Sequence, residues 1–68
     1  MEKRLEYNDD KTSKFWVGTV SGCSYTVKYG RTGTNGQEAT TQFDTDEEAL
    51  KKFEKVVKEK LKKGYVEV

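Results

Sequence analysis

Histidine is absent from this 68-residue chain, and there is a single cysteine, Cys23. The first absence removes the usual general base and a common metal ligand. One cysteine permits no internal disulfide, which fits a reducing compartment, and with no histidine it cannot build a structural zinc site. Cys23 reads as a bystander thiol near a turn, because a catalytic thiol needs a base and an orienting partner. Apolar runs stop at three residues, so no segment is long enough to span a bilayer as a helix. Met1-Glu2-Lys3-Arg4 opens without the apolar stretch of a signal peptide. The expectation is a cytoplasmic protein with no membrane contact.

An excess of one charge is missing too. Thirteen basic side chains face twelve acidic ones, for a net charge of +1. Residues 1–44 hold six of each, and residues 45–68 hold seven and six. This is not the profile of a strongly basic nucleic-acid binder, so any electrostatic face must come from local arrangement. Length is also limiting. Residues 1–68 make one domain, and a chain this short buries only about 60% of its unfolded surface. A deep catalytic cleft is hard to build within that limit. Hydrophobic content is 32% against 37% charged, so the rings must supply much of the burial.

What is present has clear periodicity. Leu5 and Tyr7 alternate with Arg4 and Glu6, which predicts a strand at about 3–8. A polar turn, Asn8 to Ser13, follows. A second strand at about 14–20 points Phe15, Val17 and Thr19 one way and Trp16, Gly18 and Val20 the other. Each face therefore carries a large apolar residue. If one packs on a helix, the other leaves its ring exposed or covered by a neighbouring strand. Two readings of Trp16 stay open: packing on the sheet's second face, or part of a binding surface. Gly18 beside it suggests that something approaches closely there. Ser21-Gly22-Cys23 turns into a third strand at about 24–29, with Tyr25, Val27 and Tyr29 on one face. A fourth runs at about 37–43. Thr45 and Glu48 then form a capping box, with Asp46, Glu47 and Glu48 suited to a helix N-terminus. Ala49, Leu50, Phe53, Val56, Val57 and Leu61 make one apolar stripe, and Gly64 supplies the stop. Four acid–lysine pairs are spaced i,i+4 on this helix, from Glu47–Lys51 to Glu59–Lys63. Tyr65 to Val68 alternates and could add a short edge strand. The fold expected is α+β: a small antiparallel meander of about four strands against one C-terminal amphipathic helix.

Between the third and fourth strands lies Tyr29-Gly30-Arg31-Thr32-Gly33-Thr34-Asn35-Gly36-Gln37, with three of the six glycines in nine positions. Asn35-Gly36 is a strong hairpin signal, since both residues tolerate a left-handed backbone. Arg31 can give two parallel hydrogen bonds to a phosphate or carboxylate. Tyr29 can stack on a sugar or base, and free N–H groups of a glycine turn can hold an anion. Lys28 and Lys14 can add charge. The candidate surface is therefore Tyr29, Gly30, Arg31, Gly33, Asn35, Gly36, Lys28 and Trp16. The competing reading makes Tyr29 core, if its strand face is the helix-facing one, and Arg31 a brace or a partner of Glu38. The lysines at the helix end read as a solvated face. The turn lacks the Gly-Lys-Ser/Thr ending and following helix of a P-loop, and the acidic run at 44–48 is a helix start. No enzyme activity, cofactor or metal is expected.

The same stretch resembles the signature of the WGR domain family, named for Trp-Gly-Arg. Lys14-Phe15-Trp16, Gly33-x-x-Gly36-Gln37, Phe43-Asp44, Glu48-Ala49, Phe53 and Lys63-Gly64-Tyr65-Val66 continue the likeness over roughly residues 3–67. The family's tryptophan is Tyr29 here. The resemblance implies a small sheet with a helix. It also implies a role like that of the domain in poly(ADP-ribose) polymerases, which helps bind DNA breaks. There the tryptophan packs against the DNA end and the arginine lies at an interdomain contact. Tyr29 would take the aromatic role and Arg31 the contact role. The function expected is a non-enzymatic module binding DNA ends or single strands. The alternative is a protein-interaction module docking a partner through the same turn. Oligomeric state is not legible.

Overall fold

The alternating segments become strands in a computed structural model of all 68 residues: β1 (Glu2–Asn8), β2 (Ser13–Ser21), β3 (Ser24–Arg31) and β4 (Gln37–Gln42). Helix α1 (Asp46–Lys62) and a two-residue β5 (Val66–Glu67) complete the chain. The five strands form one antiparallel sheet in the order β4-β3-β2-β1-β5. The meander is as expected, and the final residues do add an edge strand, joined to β1 by a 3.2 Å Lys3–Glu67 ion pair. No helix is long and apolar enough to cross a membrane.

Register decides which side chains meet, because partners across a ladder share a face. Leu5 pairs with Trp16, Trp16 with Tyr29, and Val20 with Tyr25. This is the face that receives the helix. Leu5, Trp16 and Tyr25 join Ala49, Phe53 and Val57 of α1 and Tyr65 beyond it in one core. Trp16 is 3% exposed and stacks on Phe53, with centroids 6.5 Å apart. Its ring also lies across Gly18, where a Cβ would come within 2.9 Å of Cζ2. The close approach suggested by Gly18 is real, and its cause is Trp16 itself.

Both sequence readings of Trp16 are thereby corrected. It lies neither on the sheet's second face nor on a binding surface. The second face carries Phe15, which is 5% exposed although no helix covers it. The glycine loop covers it instead. A Cβ on Gly36 would sit 2.8 Å from Phe15 Cζ, and one on Gly30 would sit 2.8 Å from the Cα of Gly36. Arg4 places its guanidinium 5.2 Å from the Phe15 centroid. The loop also differs from an Asn-Gly hairpin, because Asn35 has a negative φ; Gly33 and Gly36 supply the left-handed positions. Thr34 tightens it by donating from both N and Oγ to the Arg31 carbonyl.

Helix ends follow the sequence closely. The Thr45 hydroxyl accepts from the Glu48 N–H at 3.2 Å, one half of the capping box. At the other end Gly64 N–H donates to Leu61 O and Tyr65 N–H to Lys60 O, with Gly64 at φ 105. These two bonds make a Schellman motif. It turns the chain sharply and seats Tyr65 beside Lys60. None of the i,i+4 acid–lysine pairs is closed: the two ion pairs formed are Lys3–Glu67 and Arg4–Glu6. Leu61 ends the stripe largely exposed.

Candidate nucleic-acid interface

The helix-facing side of the sheet is not fully covered. Near the last turns of α1, the start of β2 and the end of β3 protrude together. Lys14 pairs with Tyr7 on one side and Arg31 on the other. The Thr32 N–H donates to Ser13 O at 2.9 Å and ties the β3 end to the β2 start. The Schellman turn adds Lys60 and Tyr65 from below. The result is a groove of about 350 Å³ whose walls include Lys14, Tyr29, Arg31, Lys60 and Tyr65. It runs into a second cleft of about 290 Å³, where Tyr7, Asp9 and Lys63 join Lys14, Lys60 and Tyr65.

Tyr29 shares its strand face with the core, yet it is 43% exposed. Lys60, not an apolar side chain, borders it from the helix. Its ring is the one aromatic surface left free in the groove. Of the other rings lining the two clefts, Phe15 is buried, and Tyr7 and Tyr65 already have partners. Tyr65 lies 5.1 Å from Lys60 Nζ and 5.9 Å from Lys14 Nζ, and Tyr7 lies 5.2 Å from Lys14 Nζ. Tyr7 and Tyr65 also pack on each other in a tilted arrangement, with centroids 5.6 Å apart. These contacts hold the lysine ammonium groups over ring faces at the groove.

Arg31, Lys14, Lys60 and Lys63 form no ion pair. Arg31 is therefore not paired with Glu38. Of the two acids nearby, Glu59 closes no ion pair, and Asp9 is occupied: Oδ1 accepts from the N–H groups of Lys11 and Thr12, and Oδ2 from the Tyr7 hydroxyl. Those bonds, the backbone ones first, hold its carboxyl below the usual value, and the bond to Asp9 raises the Tyr7 hydroxyl. Burial, then the charges of Lys63 and Lys14, push the Lys60 ammonium down. Four cations outside any ion pair thus gather at one end of a chain whose net charge is only +1. Such a site is suited to an anion next to a flat ring.

The residues singled out in the sequence separate onto two faces. Tyr29 and Arg31 line the groove. Lys28 pairs with Val17 and Glu38 on the opposite face, so the sheet divides it from Tyr29. Gly36 leans toward that opposite face to cover Phe15, with Gly30 packed against it. Gly33 and Asn35 sit in the exposed loop, where two N–H groups, those of Thr32 and Thr34, are already donated within the protein. Trp16 is core. Sequence reasoning missed Lys60 and Tyr65. The signal for both was Gly64: a Schellman stop sets the residue after the glycine against the one four before it.

The WGR domain profile matches residues 1–68. The chain is 43% identical over 67 residues to the uncharacterized protein YfeS of Escherichia coli, covering 98% of this chain and 28% of that protein. It is 38% identical over 61 residues to the protein YehF of Escherichia coli, covering 90% and 22%. A crystal structure of a Bacteroides fragilis protein superposes with a TM-score of 0.96 at 41% identity, over 100% of this chain and 19% of that one. The chain thus spans less than a third of the length of each of these relatives. With its sheet, its helix and its Tyr29-Gly30-Arg31 turn, the chain belongs to the WGR domain family.

Proposed function

We propose that this domain is a non-enzymatic nucleic-acid-binding module that captures the end of a strand. One observation carries the reading: the free Tyr29 ring lies in a groove with Lys14, Arg31 and Lys60, and none of these cations is spent on an internal ion pair. A ring stacks on a terminal sugar or base without regard to sequence, while the cations take the adjoining phosphates. Tracking a continuous strand needs successive stacking platforms. Here Tyr7 and Tyr65 are held by lysines and Trp16 is buried, so a single platform favours an end. WGR domains are nucleic-acid-binding modules, which agrees with the chemistry of the groove.

The test is a titration of labelled blunt duplex and single-stranded DNA at two salt concentrations. Tyr29→Ala and Arg31→Ala should weaken binding, and Lys28→Ala, on the far face, should not. Three phosphates neutralised give a slope of log K on log salt of roughly −3. Arg31→Ala should keep stability within about 0.5 kcal/mol, as other surface changes do. An absence of binding at low salt overturns the reading. A partner protein docking on the same groove then becomes the better account, and the greater length of the relatives gives that alternative a place.

A further inference from the structure

Lys60 differs from the other lysines of α1 in its surroundings. Its side chain forms a wall common to both clefts and is half-buried beside the Tyr65 ring, whereas Lys51, Lys52, Lys55 and Lys58 stand exposed. The charged and titratable groups around it come from every neighbouring element. They are Lys14 from β2, Arg31 from the end of β3, Glu59 and Lys63 from the helix, Tyr7 from β1, Tyr65 beyond the helix, and Asp9 from the β1–β2 turn, whose carboxylate is occupied by that turn.

We propose that Lys60 is the preferred acylation site of this chain, an amine that accepts an acyl group from a small anionic donor of the acyl phosphate class held in the groove by Arg31 and Lys14. Two features converge. Desolvation and the repulsion of Lys14 and Lys63 favour the neutral amine, which is the nucleophilic form. The same cations attract the donor's phosphoryl group, and Arg31 can hold it through two parallel hydrogen bonds. The reaction needs no oxidant. The Lys60 ammonium loses one proton to solvent, the amine nitrogen forms a bond to the acyl carbon, the carbon–oxygen bond to phosphate breaks, and the second nitrogen proton passes to the departing phosphate, which leaves as hydrogen phosphate. The product is a neutral amide in place of one groove cation. If the groove binds nucleic acid, acylation weakens that binding; this consequence rests on the reading above, whereas the site preference does not.

The experiment treats the whole chain with acetyl phosphate and measures the initial rate of acetylation at each lysine by mass spectrometry, in the absence of nucleic acid. Lys60 should react several-fold faster than Lys51, Lys52, Lys55 and Lys58. Its lead should shrink in Arg31→Ala and vanish in denaturant. With a neutral acetylating ester the lead should be smaller, since docking no longer contributes. A Lys60 rate at or below that of the exposed helix lysines overturns the proposal, and so does a lead that survives unfolding. A preference for Lys60 in a protein that fails to bind DNA would leave this inference standing and remove only the nucleic-acid reading.

Discussion

Gly36 does two things that only glycine permits. Its φ of 71° lies in the left-handed region, and a Cβ there would meet the Tyr29 carbonyl oxygen at 2.5 Å and Phe15 Cζ at 2.8 Å. The residue closes the loop over Phe15 and keeps the β3 end, with Tyr29 and Arg31, in place. Gly36→Val is expected to cost about 1–3 kcal/mol from backbone strain, with steric displacement of Phe15 in addition. Urea unfolding measures it, and an unchanged midpoint would show that the loop does not pack on Phe15. The glycine's conformation was legible in the sequence, because the need for positive φ is local. What it packs on was not. Phe15 and Trp16 are adjacent, apolar and aromatic, and alternation says only that they face opposite ways.

Helix α1 shows how far local rules reach. Its start and stop were legible from Thr45 and Gly64, since caps are satisfied by groups a few residues apart. Thr45→Ala should lower stability by about 0.5–2 kcal/mol, while Thr45→Asp, which keeps an acceptor, should lose less; denaturant melts of the two variants decide this. The i,i+4 acid–lysine spacing was equally legible but does not predict closed ion pairs. Exposed pairs of this kind gain only a few tenths of a kcal/mol, too little to hold two long side chains in one geometry. By sequence, Tyr65 reads as an edge residue and Lys60 as a solvated lysine. The Schellman turn that joins them follows from local rules, but the groove they border needs β2 and β3 as its other wall.

For the whole molecule the margin is small. A chain of this length is stable by roughly 3–10 kcal/mol, and its core holds seven clustered side chains. Phe53 is 1% exposed and stacks on Trp16. Phe53→Ala should cost about 3–5 kcal/mol, enough to leave much of the population unfolded; loss of the near-ultraviolet circular dichroism of Trp16 would report it. A variant that keeps that signal and its melting temperature would mean that the helix is held elsewhere.

Strand alternation, the helix stripe and its caps, the meander and the ring–glycine–arginine turn were set by the sequence alone. They depend on neighbours within a few residues. The tertiary structure decided the rest. It chose Trp16 over Phe15 for the helix side, placed Lys28 behind the sheet, left Tyr29 uncovered beside Lys60, and drew Lys14, Arg31, Lys60 and Lys63 to one end of a nearly neutral chain. The physical reason is the same in each case. A face is chosen, and a charge is concentrated, by ladder register and by the path of a helix across a sheet. Both bring together residues that lie tens of positions apart.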